Sequence, residues 1–507
     1  MNPIQEHALD VALSGRNVFV TGSGGTGKTY WIHKFCDTLL AEKYRGDKDL
    51  YGRSVVLVAP TGIAATAIGG TTIHSSLGVG IPVTTAYFDR VLRPKNRKRV
   101  SKWKTMIIDE VSMLAGDFLD QMDRVLRMAR PMFCQKPFGG IQIVCVGDFH
   151  QLPPIANKVE YGFKNEGFAF QAAVWDQAEF VNVVFDKLFR QDGDRRFAKL
   201  LNKVRSGDAK TAAMALADIA AECRNGCRSA ITETTLVNNS GIRPTRIFAL
   251  NVNVDEINQR ELANLGTEIH EFGAKDNVDG ITRLLGESAS AFKTRSNRYN
   301  QHEFFKSSAT IKLAVGAQVM LTKTLSPQQE DTSETKSLVN GTRGVVVEIC
   351  PAMSIVYVRF NNGMTVPIGI TEFKSDIIEM HQDKTYTVTL KRRQIPLKLA
   401  WAITVHKSQG MTLDRVELTM KSMFASGHAY VALSRVRSLD GLDILDMPKD
   451  PSKLFEWAQQ IIKVDPLVQR FYASIVPSVP GVPVPPLKAQ EHEWKVGDAP
   501  LDPLDPL

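Results

Sequence analysis

"NVFVTGSGGTGKT", residues 17–29, is the part of this 507-residue sequence that says most about its fold. A short apolar run ends in glycines at positions 22, 24, 25 and 27, and Lys28 and Thr29 follow them. The next residues, "YWIHKFCDTLL" at 30–40, continue in a helical pattern. Glycines in such a turn let backbone N–H groups point at a phosphate, so the stretch predicts a strand, a phosphate-binding loop and a helix.

Further short apolar runs, each followed by turn residues, extend this pattern along the chain. They are "SVVLVAP" (54–60), "TMIIDE" (105–110), "IQIVCVGD" (141–148) and "VNVVFD" (181–186), with a helical pattern at 117–130. A second set comprises "TRIFAL" (245–250), "LKLAWAIT" (397–404), "RVELTM" (415–420) and "LDIL" (442–445). Such runs are typical of strands buried on both faces of a parallel sheet, and they predict a doubly wound α/β layout.

Two regions have a different pattern of residues. Residues from about 306 to 395 alternate in short runs, with "NG" at 340–341 and 362–363, and they predict a small β-barrel inserted into the second α/β unit. The proline-rich end of the chain, 476–507, predicts a flexible tail.

The charge of the chain indicates a class of partner. Lys and Arg number 62 against 54 Asp and Glu, a net charge of +8, which favours a polyanion. The run "RPKNRKRVSKWK" at 93–104 has seven basic residues and no acid, and it fits either a solvated surface loop or contacts to nucleic-acid phosphates. No apolar run has the length of a membrane span, so we expect no membrane partner.

Two carboxylates follow the strand at 105–108 and complement the glycine-rich loop. In the loop, Lys28 would reach the β- and γ-phosphates and Thr29 would ligate Mg²⁺. Asp109 would hold the metal and Glu110 would activate the attacking water, although two exposed carboxylates at a strand end would look the same in sequence. Together these residues predict a nucleoside-triphosphate hydrolase.

Other motifs are ambiguous when each is considered alone. The Gln5 amide offers a donor and an acceptor, enough to recognise an adenine edge. Small and hydroxyl residues at 59–78 suit close approach to a sugar–phosphate chain, but Thr61 fits a helix N-cap equally well. Arg190, and Arg435 on a helix predicted at 428–438, are candidate arginine fingers, although a lone arginine is usually a surface salt bridge.

Taken in order, the motifs resemble the petite-integration-frequency (PIF) helicases, superfamily-one DNA helicases that move 5′ to 3′. They are "GSGGTGKT", "APTGIAA", "GGTTIHSSLG", "IIDEVSML", "PFGGIQIVCVGDFHQLPP", "FRQ", "WAITVHKSQGMTLD" and "AYVALSR". The resemblance covers about residues 2–447. Because only four residues precede Gln5, we expect that the N-terminal extension usual in the family is missing.

The resemblance implies two RecA-like P-loop NTPase domains, with ATP between them. The first is expected at 1–180, with a small basic insertion at about 79–104, and the second at 181–255 and 396–475. The region 256–395 is expected to contain an SH3-like β-barrel inserted in the second domain. The family's usual organisation thus places a barrel where alternation already predicts one.

Roles for individual residues also follow from the resemblance. ATP is expected to contact Gln5, Gly22, Ser23, Gly24, Gly25, Thr26, Gly27, Lys28 and Thr29. Catalysis is expected from Lys28, Glu110, Gln151, Arg190 and Arg435, with Gln151 as the γ-phosphate sensor and Mg²⁺ held by Thr29 and Asp109. DNA contacts are expected at Thr61, Gly62, His74, His406 and Lys407. The position of "GDFHQLPP" (147–154), after a strand whose neighbours end in the glycine-rich loop and the acid pair, predicts that Phe149 and His150 lie toward the DNA side.

The expected function is that of an ATP-dependent 5′-to-3′ DNA helicase that uses ATP and Mg²⁺. Its expected partners are single-stranded and forked DNA, bound by a monomer or a DNA-dependent oligomer. The family also implies structured DNA such as G-quadruplexes, in replication, repair, recombination or telomere maintenance. The alternatives are a single-strand translocase that strips proteins and unwinds little, a binding module with a relic ATP site, and a nucleotide kinase.

Overall fold

The structure is a computed structural model, and it describes residues 1–80, 82, 84–156, 163–190, 193–227, 243–249, 251–279, 290, 308–323, 325, 338, 341–361, 363–381, 384–411, 413, 415–421, 423–482 and 484. The helices are α1 (Pro3–Leu13), α2 (Lys28–Glu42), α3 (Lys48–Ser54), α4 (Gly62–Ala67), α5 (Ile73–Leu77), α6 (Pro94–Val100), α7 (Gly116–Ala129), α8 (Ala173–Gln177), α9 (Arg195–Ser206), α10 (Ala209–Cys227), α11 (Asn251–Ala263), α12 (Val405–Ser408), α13 (His428–Leu433), α14 (Leu454–Ile461) and α15 (Pro466–Ser474). The strands are β1 (Val18–Gly22), β2 (Val55–Ala59), β3 (Thr71–Thr72), β4 (Thr105–Ile108), β5 (Gln142–Gly147), β6 (Val181–Phe185), β7 (Thr245–Phe248), β8 (His270–Gly273), β9 (Lys275–Asp279), β10 (Thr310–Leu313), β11 (Gln318–Leu321), β12 (Arg343–Cys350), β13 (Ile355–Phe360), β14 (Thr365–Ile368), β15 (Thr371–His381), β16 (Lys384–Gln394), β17 (Leu397–Leu399), β18 (Ala402–Thr404), β19 (Val416–Leu418) and β20 (Leu442–Ile444).

The described residues form two compact units. The first lies within 1–226, 405–414 and 418–507, and the second within 227–404 and 415–417. This division differs from the expected boundaries, so the assignment of two RecA-like domains and an SH3-like barrel stays a prediction.

A six-stranded parallel sheet organises the first unit, in the order β3-β2-β4-β5-β1-β6. It confirms the predicted α/β fold with a parallel sheet. β5 lies between β4 and β1, with Val144 opposite Val18 on one side and Ile107 on the other. The carboxyl ends of β1, β4 and β5 are therefore adjacent, which is where ligands bind in open α/β sheets.

The sheet is covered on both faces because its central strands are apolar throughout. Along β1, Phe19 packs into one core with Phe118 and Phe149, while Val18 and Val20 pack into another with Trp31. Successive side chains of a strand point to opposite faces, so β1 contributes Phe19 to one core and Val18 and Val20 to the other.

Three predicted boundaries in the first unit need correction. β6 pairs with β1, Val18 opposite Val181, so the first sheet continues past the boundary predicted at residue 180. The helix predicted at 428–438 ends at Leu433, and the chain turns at Ser434. The start of the predicted tail, at 476–482, lies against the sheet, because the Ser478 backbone N–H donates to Asn182 O at 2.7 Å. Beyond residue 482, only residue 484 is among the described residues.

The second unit contains an antiparallel five-stranded sheet in the order β14-β13-β12-β11-β17. A hairpin joins β13 and β14 around Gly363, as the second "NG" predicts, while Asn340 and Asn362 lie outside the described residues. The run at 397–404 forms two strands because it serves two sheets: β17 pairs with β11, and β18 pairs in parallel with β7. Among the residues described, no helix has the length and apolar character that a membrane crossing requires.

Candidate nucleotide and nucleic-acid site

The glycine-rich loop joins β1 to α2 as the sequence predicts. Gly27, with φ of 82°, is the N-cap of α2, and a Cβ on Gly22 would lie 2.4 Å from the Phe185 carbonyl oxygen. These two positions therefore tolerate only glycine without strain or displacement. Lys28 folds back over the loop, its Nζ donating to the carbonyl oxygens of Gly22 at 2.7 Å and Ser23 at 2.9 Å. Burial lowers the pKa of Lys28.

Gln5 lies against this loop from α1. Its Nε2 donates to Thr26 O at 3.2 Å, and its Oε1 accepts the Asn2 amide at 3.1 Å. The second bond belongs to a capping box at the start of α1, in which the Asn2 side chain also accepts a hydrogen bond from the Gln5 backbone N–H. Gln5 is thus placed beside the loop, and an adenine would have to share an amide that already has two partners.

Asp109 and Glu110 follow β4 at the same edge of the sheet. Asp109 is buried, and burial together with the neighbouring Glu110 raises its pKa to about 7. Glu110 has a left-handed backbone, with φ of 52°, and its Oε2 accepts the Gln409 amide at 2.9 Å. A cation would offset this pair of close carboxylates. Mg²⁺ binds through one or two carboxylates plus substrate phosphates, so Asp109 and the exposed Thr29 hydroxyl fit that ion.

Gln151 lies in the turn after β5, and its side chain is buried. Its Nε2 donates to Oδ2 of Asp148 at 3.4 Å. Arg205 on α9 donates from Nε to Oδ2 and from Nη2 to Oδ1 of the same carboxylate, each at 2.9 Å. Burial alone would raise the pKa of Asp148, but the Arg205 guanidinium outweighs burial and the pKa falls to about 2. An ion pair therefore fixes the carboxylate against which Gln151 lies.

Tyr472 of α15 connects this turn to β1. Its hydroxyl is 2.7 Å from Thr21 Oγ1 and accepts the Phe149 amide at 3.1 Å, and the His150 ring stacks on it with centroids 4.5 Å apart. The Phe149 side chain is 1% exposed and packs edge-on against Phe471. The prediction that Phe149 faces a DNA strand is therefore wrong, because the core retains its apolar ring.

The two candidate arginine fingers meet near Gly24. Arg190 Nη1 donates to Ser434 O at 3.2 Å and lies 3.8 Å from where a Gly24 Cβ would be. Arg435, just beyond α13, folds back so that Nε donates to Val431 O at 2.6 Å. Burial and the nearby Arg190 lower the pKa of Arg435 to about 9.

Tyr430 was not predicted as a site residue, yet it touches the loop. Its hydroxyl accepts the Gly24 amide at 2.7 Å. Gln409 was likewise not predicted, although it lies inside the motif "WAITVHKSQGMTLD" and Tyr430 lies inside "AYVALSR". Arg205 and Tyr472 lie outside those motifs, and nothing in the sequence pattern singles them out.

The predicted DNA-contact residues lie on separate elements. Thr61 Oγ1 accepts the Ala64 amide at 3.3 Å, so the N-cap alternative describes its hydroxyl, and Gly62 is exposed beside it. His74 packs edge-on against Phe118 with centroids 4.9 Å apart. On α12, Lys407 is exposed and His406 is half-buried.

The basic run 93–104 forms α6 and its flanks. Lys95, Arg97, Lys98 and Lys102 are exposed, as either a solvated loop or a phosphate-contacting surface requires. Arg99 Nη2 donates to Ser76 O at 2.6 Å, so one member of the run also links α6 to α5.

Known proteins resemble this chain over most of its length. The sequence profile of the PIF1-like helicases matches residues 2–215. The ATP-dependent DNA helicase PIF1 of Xenopus laevis is 34% identical over 473 residues, which are 92% of this chain and 63% of that protein. The ATP-dependent DNA helicase Pif1 of Psychrobacter sp. (strain PRwf-1) is 33% identical over 482 residues, which are 87% of this chain and 68% of that protein.

A solved structure extends the likeness to three dimensions. The Pif1 helicase from Bacteroides, in complex with ADP-AlF3 and ssDNA, matches with a TM-score of 0.64 and 27% identity, over 94% of this chain and 96% of that one. The chain spans less than two thirds of the length of the Xenopus protein. Its identity to the Psychrobacter protein, together with the loop and acid pair described above, shows that the chain belongs to the PIF1-like helicase family.

Proposed function

We propose that this chain is an ATP-dependent DNA helicase that moves 5′ to 3′ along single-stranded DNA. The proposal rests on one observation: Lys28 and Arg190 lie at the same glycine-rich loop, and Arg435 donates to Ser434, whose hydroxyl also lies beside that loop. These three side chains donate to carbonyl and hydroxyl oxygens, and a triphosphate would supply the negative charge that complements them. The Bacteroides relative binds ADP-AlF3 and ssDNA, which supports both substrates.

In hydrolysis, Lys28 would bind the β- and γ-phosphates once its amine leaves the Gly22 and Ser23 carbonyls. Glu110 would accept a proton from the attacking water, with its carboxylate oriented by Gln409. Arg190 and Arg435 would stabilise the charge that develops on the transferred phosphoryl group. Gln5 would contact the adenine, and Gln151 would sense the γ-phosphate.

Thr29 and Asp109 would hold Mg²⁺ beside the phosphates. When bound, the ion neutralises charge on the β- and γ-phosphate oxygens. The raised pKa of Asp109 fits this role, because burial beside Glu110 disfavours two negative charges without a cation.

The single strand would run over Thr61, Gly62, His74, His406 and Lys407. Binding would be salt-sensitive and largely independent of sequence, since phosphates supply most of the contacts. Family membership also supports the 5′-to-3′ direction and forked and G-quadruplex substrates as proposals. It supports two RecA-like domains and an SH3-like barrel in the same way.

The Lys28→Ala variant tests the ATP site, with Lys34→Ala, an exposed lysine on the same helix, as the matched control. We expect single-strand-stimulated ATPase to fall by about a thousandfold in Lys28→Ala and to remain in Lys34→Ala. Unchanged ATPase in Lys28→Ala would show that the site is misassigned.

Duplexes with a 5′ overhang, a 3′ overhang and an RNA loading strand test direction and substrate. We expect ATP-dependent unwinding of the 5′-overhang DNA alone. Unwinding confined to the 3′-overhang substrate would contradict the proposed direction. ATP-dependent displacement of a bound protein with little unwinding of any duplex would favour a translocase instead.

A further inference from the structure

Two neighbouring strands of the first sheet separate where they lead into the candidate site. The pairing of β1 with β5 runs from Val18 opposite Val144 to Thr21 opposite Gly147, and it ends there. Beyond that pair, one chain continues as the glycine-rich loop and the other as the turn 148–151. The distance between these two segments therefore depends on side chains as well as on the sheet.

The Tyr472 hydroxyl lies at the point where the two chains separate. It accepts the Phe149 backbone N–H at 3.1 Å, donates to Asp148 Oδ1 at 3.4 Å and lies 2.7 Å from Thr21 Oγ1. With Thr21 as the donor of the third bond, the three bonds use the one donor and both acceptor positions of a phenol hydroxyl. Burial and the neighbouring Asp148 raise the pKa of Tyr472, so the hydroxyl keeps its proton at neutral pH. One side chain thus joins the end of β1 to the turn that carries Gln151.

Neighbouring rings hold Tyr472 in place. His150 stacks on its ring with centroids 4.5 Å apart, and the Arg205 guanidinium lies 5.6 Å from the ring centroid. The preceding Phe471 stacks on Phe170 with centroids 4.2 Å apart. Packing of this kind restricts the rotamers of a side chain, so the position of the hydroxyl is set before any ligand binds.

The helix that carries Tyr472, α15, is fixed at both ends. The Asp465 side chain accepts the Leu467 backbone N–H at 2.8 Å and caps the helix. After the helix, the Ser478 backbone N–H donates to Asn182 O on β6 at 2.7 Å, and the Ser478 hydroxyl lies 2.8 Å from His7 Nε2 on α1. Because β6 pairs with β1, these contacts tie α15 to the sheet that carries the glycine-rich loop.

We propose that Tyr472 is a positioning residue for ATP hydrolysis, whose hydroxyl fixes the turn 148–151 relative to the glycine-rich loop. It acts through Gln151, whose side-chain amide donates to Asp148 Oδ2 while Tyr472 donates to Oδ1 of the same carboxylate. The inference rests on the proposed function, since it takes Gln151 as the group that contacts the γ-phosphate. It gives α15, which lies outside the motifs that resemble the PIF helicases, a role in hydrolysis.

Steady-state ATPase assays on the full chain test the proposal at saturating single-stranded DNA, well below the melting temperature of each variant. Tyr472→Phe removes the hydroxyl and keeps the ring. We expect its kcat to fall about tenfold while KM for ATP changes by less than about threefold, because a displaced catalytic group slows the reaction more than it weakens binding. Tyr357→Phe, at a half-buried tyrosine on β13 of the second unit, is the matched control and should keep both constants.

The Gln151→Ala background separates positioning from a loss of folded protein. If Tyr472 acts through Gln151, Tyr472→Phe should lower kcat by less than about twofold when residue 151 is already alanine. Partial unfolding would instead lower kcat by the same factor in both backgrounds.

Thr21→Val tests the same link from the side of β1 and decides the matter if Tyr472→Phe does not fold. It removes one hydrogen bond to the Tyr472 hydroxyl and should lower kcat about fivefold, again with little effect in the Gln151→Ala background. An unchanged kcat in Thr21→Val would then overturn the positioning role.

The outcomes separate the proposal from its premise. An unchanged kcat in Tyr472→Phe, a raised KM alone, or an equal loss of kcat in both backgrounds would overturn the positioning role while wild-type ATPase stood. A wild type without single-strand-stimulated ATPase would overturn the proposed function and the positioning role together.

Discussion

Gln409 donates its side-chain amide to the Glu110 carboxylate, with 2.9 Å between Nε2 and Oε2. If Glu110 is the general base, this bond orients it. We expect Gln409→Ala to lower the kcat of ATP hydrolysis about tenfold at saturating single-stranded DNA, with KM for ATP changed by less than about threefold. Steady-state ATPase assays measure both constants. An unchanged kcat would show that Gln409 does not contribute to hydrolysis through Glu110.

The Tyr430 hydroxyl accepts the Gly24 amide, one of the N–H groups with which the loop would bind a phosphate. ATP would compete for that amide, so Tyr430→Phe is expected to tighten ATP binding about fivefold, the worth of one hydrogen bond. Titration with a fluorescent ATP analogue measures the change. Tyr51→Phe is the control, since Tyr51 packs against Tyr44 and not against the loop. Weaker binding in Tyr430→Phe would mean that the hydroxyl supports the nucleotide.

The sequence predicts the first sheet well because its strands are apolar on both faces and end in turn residues. The pattern locates β1, β4 and β5 within a residue or two, and the glycine-rich loop identifies the functional edge. It fails at 397–404, where Ala400 and Trp401 separate two strands that belong to different sheets. An apolar run does not show which partner each half will pair with.

The site is predictable where its chemistry depends on a local motif and unpredictable where it depends on distant side chains. Lys28, Thr29 and the acid pair follow from neighbouring residues. Arg205 and Tyr472 reach Asp148 from 57 and 324 residues along the chain, so only the fold brings them together.

The Asp148–Arg205 pair is expected to stabilise the protein in a pH-dependent way. The folded pKa of Asp148, about 2, lies below its unfolded value of about 3.9, so its stabilising effect is present above pH 4 and is lost as pH falls toward 2. Asp148→Asn leaves Arg205 buried without its partner and should cost about 3 kcal/mol at pH 7.

Calorimetry across pH measures that difference. The difference in free energy of unfolding between wild type and Asp148→Asn should stay constant from pH 7 to about pH 5 and should become smaller below about pH 4. Asp89→Asn is the control, because its pair with Arg124 is largely exposed and should be worth less than about 1 kcal/mol. A gap that widened in acid would contradict the lowered pKa.

Gln151 is expected to couple nucleotide to DNA without contributing to ATP affinity. Its side-chain amide lies against Asp148, and its backbone carbonyl lies against Gly427, so it touches both the ion pair with Arg205 and the residue that precedes α13. Lys28 and the glycine-rich loop do not depend on it. Gln151→Ala should therefore bind ATP within about twofold of wild type but lose the effect of nucleotide on single-strand affinity.

The coupling is the ratio of oligo(dT) dissociation constants without and with a non-hydrolysable ATP analogue, and linkage requires the same ratio for the analogue's own affinity. Gln151→Ala should bring both ratios toward one and reduce the base pairs unwound per ATP. Gln135→Ala, an exposed glutamine in the same unit, should change neither. If both ratios in Gln151→Ala equalled those of the wild type, the role of Gln151 would be only to shape the turn after β5. A loss of coupling confined to the variant would place the transmission at the Gln151 side chain, because the Asp148–Arg205 pair and the backbone contact with Gly427 both remain when the side-chain amide is removed.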